Sequence, residues 1–128
     1  MTNVYVAGIA MTVFGRHPER SLHDLAGEAL QGALADAGCA AADIGAAYYS
    51  GMTNGTLQGQ ISIPGQVIFS KIGIEGIPIY NVENACASGS SALNLAVQSL
   101  KAGTTDVTLA IGAEKMNIPD KAKAFAIF

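Results

Sequence analysis

From Asn84 to Leu100 the chain carries no charged residue. The segment reads as a helix from Ala87 to Lys101, ended by Gly103. Its apolar members, Ala87, Ala92, Leu93, Leu95, Ala96, Val97 and Leu100, do not keep to one face. Most other positions are Ser, Gly or Asn. A helix without a charged face is one buried all round. A single sheet covers one side of such a helix, so something else must cover the other: the remainder of a longer protein, or a partner chain. This requirement constrains the fold more than any other stretch does.

The rest of the chain supplies the sheet. Val4–Ile9 reads as a buried strand, Ile44–Ser50 as a second, Ile77–Val82 as a third and Val107–Ile111 as a fourth. Between the first two, Leu22, Leu25, Ala26, Ala29, Leu30, Ala33, Leu34 and Ala37 form the stripe of an amphipathic helix. Ser21 is its expected N-cap, with Asp24 three residues on as a capping-box variant, and Gly38 its stop. Gly51–Gln60, rich in Gly, Thr and Asn, reads as a long loop. Pro64–Ile72 reads as a shorter helix, and Ala122–Phe128 is apolar without a stop signal. Strands alternating with helices give an α/β fold with a largely parallel sheet. The chain, 1–128, reads as one domain.

Composition removes several functions. The net charge is −3, only 13% of residues are charged, and there is no Trp. No basic cluster or aromatic-basic interleaving is present, which argues against nucleic acid as a partner. No run of about 20 apolar residues offers a membrane span. A secretory signal is not visible either, so the reading is cytoplasmic, or peroxisomal in a eukaryote. No Cys/His spacing suits a metal, and no phosphate-loop pattern occurs. Cys39 and Cys86 stand in unlike contexts and read as two free thiols.

Chemistry concentrates at Cys86, between the third strand and the charge-free helix. Unpaired N–H groups and the positive end of the helix dipole stabilise a thiolate there. The same N–H groups can hold an oxyanion. Ala85, Ala87 and Gly89 leave room for an acyl group. These features suit covalent acyl transfer. A buried structural thiol is the competing reading, because free cysteines are commonly buried. Cys39, after a helix end, reads as structural. His17, in a polar loop with Arg16 and Arg20, and His23, on the polar side of a first helical turn, read as solvated surface histidines. Neither is assigned as the base for Cys86.

The run Asn84-Ala85-Cys86-Ala87-Ser88-Gly89-Ser90-Ser91-Ala92-Leu93 resembles the nucleophile segment of the thiolase superfamily. The match is nearest the branch of sterol carrier protein and lipid-transfer thiolases, with their acetyl-CoA acetyltransferase relatives. Gly112-Ala113-Glu114-Lys115-Met116 is similar to the segment after that branch's fourth strand. Val6-Ala7-Gly8 and Ala33-Leu34-Ala35-Asp36-Ala37-Gly38 fit as well, so the resemblance runs along essentially the whole chain.

That resemblance implies a thiolase-like fold: most of the first βαβα half, its nucleophile helix buried between two sheets. It implies Cys86 as the nucleophile on a 3-ketoacyl-CoA, with a coenzyme A thioester as substrate and no tightly bound cofactor. An activating His, an oxyanion-hole His or Asn and a second Cys would come from the second half of such a protein. The chain alone is therefore expected to be inactive. Its expected partners are a homo-oligomer, through Tyr80–Glu83 with the loop Met52–Gln60 nearby, or a complementary C-terminal half. Two alternatives stand: a non-catalytic truncated or split subunit, and a related β-ketoacyl synthase or retro-aldolase.

Overall fold

The computed structural model describes residues 3–128. Eight regular elements follow one another: α1 (Leu22–Ala37), β1 (Ala46–Ser50), α2 (Asn54–Gln58), α3 (Pro64–Lys71), β2 (Ile79–Val82), α4 (Ser88–Lys101), β3 (Thr108–Gly112) and α5 (Lys121–Phe125). A 3-10 turn at Ala41–Asp43 joins α1 to β1. The sheet is wholly parallel in the order β2-β1-β3.

Each end of α1 has a local cause. Ser21 Oγ accepts the Asp24 N–H at 3.1 Å, and Asp24 Oδ2 accepts the Ser21 N–H at 2.7 Å. Both satisfy donors that a helix start leaves free. At the other end Gly38 turns left-handed, φ +65°.

Alternation along β1 builds two cores. Ala47 and Tyr49 face α1 and α3, meeting Leu22, Ala26, Leu30, Ile68 and Phe69. Ala46 and Tyr48 face α4, meeting Ala92 and Ala96. All five β1 residues are buried, as the central strand of a three-layer arrangement requires. Tyr49 meets Phe69 edge to face, centroids 6.2 Å apart, while Tyr48 stacks on Tyr80 at 4.9 Å.

The expected charge-free helix forms, but its cover is one-sided. Ser88, Ala92 and Ala96, spaced i, i+4, i+8, are buried against the sheet. Leu93 and Leu95, flanking that stripe, stay 52% and 39% exposed. The helix thus meets half the expectation of burial all round, and its second side is open in the chain as described.

Two other expectations need correction, and one segment left without an element gains one. Val4–Ile9 is not a strand and, among the described residues, the sheet has three strands rather than four. The segment instead lies along α1. A side-chain carbon added to Gly8 would fall 2.4 Å from Ala33 O and 2.5 Å from Ala37 N. Asp36 Oδ2 also takes the Ile9 N–H at 2.8 Å, a donor that a sheet neighbour would otherwise use. The loop Gly51–Gln60 contains the short helix α2, closed by a left-handed Gly59. The apolar end holds α5, capped by Asp120, whose side chain accepts the Lys123 N–H.

Candidate active site

In a parallel sheet every strand ends at the same edge, and the loops that follow gather there. β2 runs out at Val82 and the chain reaches α4 through a tight turn over Glu83–Ala87. Cys86 stands exposed on that turn. Ala85, just before it, has φ +47°. Left-handed backbone costs a residue with a Cβ roughly 1–2 kcal/mol and persists only where the surroundings impose it.

Here they do. Glu83 Oε1 accepts the Ala85 N–H at 2.6 Å. Ser88, only 6% exposed, accepts the Asn84 N–H at 2.8 Å and donates to Ala85 O at 2.7 Å through its hydroxyl. Asn84 O accepts the Ala87 N–H at 2.9 Å, and Asn84 Nδ2 donates to Ser91 Oγ at 3.0 Å. The turn is therefore braced from both sides of Ala85, and Cys86 is left at its tip. Ala87 makes no capping side-chain bond. The Ser88 N–H donates to Ala85 O at 3.1 Å, which leaves the Gly89 and Ser90 N–H groups of the first turn of α4 available to an oxyanion.

The ends of β1 and β3 adjoin this turn. Ser50 Oγ lies 4.0 Å from where a side chain at Gly89 would begin, and Ser50 Oγ also donates to Ile111 O at 3.3 Å. Beyond Ser50, the chain is tied to the end of β3. The Glu114 carboxylate accepts the Met52 N–H, the Thr53 N–H and the Thr53 hydroxyl. Ala113 O accepts Asn54 Nδ2 at 3.3 Å, and Lys115 O accepts Gln58 Nε2 at 2.9 Å. Thr53 and Asn54 are buried polar residues. The Tyr49 hydroxyl, 2.6 Å from Asn54 Oδ1, belongs to the same network. Burial, and after it the negative charge of Glu114, push its pKa above the ordinary tyrosine value.

Neither histidine is hydrogen-bonded to Cys86 among the described residues. His17 pairs its Nε2 with Val13 O at 2.8 Å. His23 departs from the expected solvated position: it is partly buried, and its Nε2 is enclosed without a hydrogen-bond partner. Burial is the main cause of its lowered pKa, with the charge of Lys71 at the end of α3 adding to it. Cys39 is a half-buried free thiol, its Sγ 3.7 Å from Ala37 O. Among the described residues no three His, Cys, Asp or Glu side chains cluster as metal ligands. No described helix is long and apolar enough to cross a membrane. A cleft of about 500 Å³ lies among residues 4–12, α1, β3 and one side of α4, and Cys86 does not line it.

Sequence reasoning found Cys86 but not its braces. Ser88 looked like one small residue among several. The strain at Ala85 has no sequence signal, because alanine is an ordinary helix or turn residue. Glu114 stood out only as part of a resemblance, with no role attached.

Comparisons with known proteins agree with this geometry. The family description "Thiolase, N-terminal domain" matches residues 4–127. Sterol carrier protein 2 of Gallus gallus is 38% identical over 125 residues, 96% of this chain and 22% of that protein. An acetyl-CoA acetyltransferase of Methanothermobacter thermautotrophicus is 37% identical, over 98% of this chain and 33% of its own length. Among solved structures, acetyl-CoA acetyltransferase from Syntrophomonas wolfei superposes with a TM-score of 0.68 at 29% identity, over 81% of this chain and 27% of that one. The 3-oxoacyl-[acyl-carrier-protein] synthase III of Aquifex aeolicus shares the fold with a TM-score of 0.68 at 21% identity, over 79% and 32%. The chain thus spans between about a fifth and a third of the length of these relatives.

Proposed function

The chain belongs to the thiolase family through its N-terminal domain, and on that premise we propose that it carries the nucleophile of a CoA-dependent acyltransferase acting on 3-ketoacyl-CoA. The observation that carries the reading is Cys86 itself, exposed on a braced left-handed turn at the start of α4. In this reading the Cys86 thiolate attacks the C3 carbonyl carbon, and the Gly89 and Ser90 N–H groups at the start of α4 hold the resulting oxyanion. The oxyanion collapses and the C2–C3 bond breaks. Its electron pair stays on C2, which takes a proton and leaves as acetyl-CoA, or as propionyl-CoA from a branched substrate. The acyl group remains on Sγ as a thioester. A second CoA thiol attacks it, gives its proton to a base and releases Cys86.

No base is hydrogen-bonded to Cys86 among the described residues. The reading therefore assigns the base, and the cover of Leu93 and Leu95, to a complementary thiolase-like half, in the same polypeptide or another. Mass spectrometry of the full-length protein after incubation with a 3-ketoacyl-CoA tests this. An acyl adduct on the peptide containing Cys86, absent from Cys86→Ala, is the expected result. A protein that turns over substrate with Cys86 unmodified and dispensable would sink the reading.

The open second side of α4 favours one alternative: a non-catalytic subunit whose role is assembly. Native mass spectrometry separates the two. A complex that contains this chain but shows no thioester chemistry supports the alternative.

A further inference from the structure

Glu114 makes more hydrogen bonds between separate segments than any other side chain near the Cys86 edge, and the reaction scheme above does not use it. Its carboxylate gathers three donors from two consecutive residues, Met52 and Thr53, more than sixty positions earlier in the chain. Flanking atoms reinforce it. Ala113 O and Lys115 O hold Asn54 and Gln58, and Lys115 Nζ reaches back to Pro18 O at 3.2 Å. The segment Ala113–Lys115 thus fastens the loop that leaves β1, residues 52–60, to the end of β3. That loop begins at Gly51, directly after Ser50, whose hydroxyl adjoins Gly89. Gly89 is one helical turn beyond Cys86. The loop and the nucleophile turn therefore emerge side by side from the same sheet edge.

We propose that Glu114 is a positioning residue: by holding Met52 and Thr53 it sets the loop 52–60 as a wall beside Cys86, against which the acyl thioester is seated. The proposal rests on the acyl-transfer reading. A charge-assisted acceptor suits this task, since one carboxylate can satisfy several N–H and O–H donors at once. The buried Thr53 would otherwise leave its N–H and hydroxyl without these partners. Glu114 acts through the loop and touches no reacting atom.

Steady-state kinetics of the full-length protein test it, with acylation of Cys86 followed in parallel by mass. Glu114→Gln keeps an acceptor but loses the charge and one acceptor site. It should raise KM for the thioester roughly tenfold, the loss of one charge-assisted bond, with kcat changed much less and Cys86 still fully acylated at saturation. Thr53→Val removes one donor while keeping the shape, so it guards against a Glu114 variant that fails to fold. It should raise KM in the same sense, and the double variant should be less than additive. Unchanged KM in Thr53→Val, or kcat falling by as large a factor as KM rises in Glu114→Gln, overturns the proposal. An unacylated parent protein overturns the acyl-transfer reading and this proposal with it. An acylated parent with an unaltered KM in both variants removes this proposal alone.

Discussion

Ser88 Oγ lies 2.7 Å from Ala85 O and 2.8 Å from Asn84 N, so one buried hydroxyl ties the carbonyl of the strained residue to the N–H of the residue before it. Removing it leaves the part-buried Asn84 N–H without its partner and takes from Ala85 O one of its two donors, the Ser88 N–H at 3.1 Å remaining. Ser88→Ala is therefore expected to cost about 1–3 kcal/mol, read as a lowered thermal midpoint, and to change the alkylation rate of Cys86. Ala85→Gly removes the Cβ penalty at φ +47° and should cost far less; Ala85→Val should cost more. If Ser88→Ala matches the parent in both stability and alkylation rate, the brace is not what holds the turn.

Gly8 and Gly38 forbid side chains for different reasons. At Gly8 an added Cβ would collide with the backbone of α1, so Gly8→Ala must push the N-terminal segment off the helix, at about 1–3 kcal/mol. At Gly38 nothing lies within 4 Å, and the cost of Gly38→Ala is conformational alone, roughly 1 kcal/mol. Chemical denaturation of the two variants gives the comparison. A Gly8→Ala protein as stable as its parent would place that segment elsewhere.

His23 gives the stability a pH dependence of known sign. Its folded pKa is below the ordinary 6.5, so the unfolded chain binds the proton more readily. Stability from this group is complete above that ordinary value and declines as pH falls through it toward the folded pKa. Thermal midpoints measured from pH 7.5 downward should drop, and His23→Gln should flatten that part of the profile. A midpoint that rises on acidification through this window would contradict the burial of Nε2.

Leu30 and Leu93 should separate the core from the open side of α4. Leu30 has no exposed surface, while Leu93 is 52% exposed. Leu30→Ala is expected to cost about 2–5 kcal/mol, and Leu93→Gln within about 0.5 kcal/mol in the chain by itself. Calorimetry of the two variants decides it. A large loss from Leu93→Gln would mean that α4 is already covered.

Much of this was legible in the chain, for physical reasons that differ by residue. Ser21, Asp24 and Gly38 mark the ends of α1 because capping is local, decided by neighbours within four positions. The alternation of β1 and the small-residue run of α4 follow from their two periods. Val4–Ile9 misled because an apolar run says that a segment seeks cover, not which surface supplies it. Here Gly8 and Asp36 turn it toward α1. The site divided likewise. A cysteine between a strand and a helix is visible in one dimension. The pairing of Glu114 with Thr53 spans sixty-one positions and depends on the order β2-β1-β3, which no local pattern encodes.

The parallel sheet also makes the molecule two-ended. Cys86, Glu114 and the loop after Ser50 all leave by one rim, whereas the turn Gly103–Asp106 enters β3 from the other. That turn is mostly exposed, and Gly103 already carries a left-handed φ of +69°. Engineers wishing to splice in a fluorophore or an affinity handle have a natural port there, a sheet's length away from the Cys86 thiol.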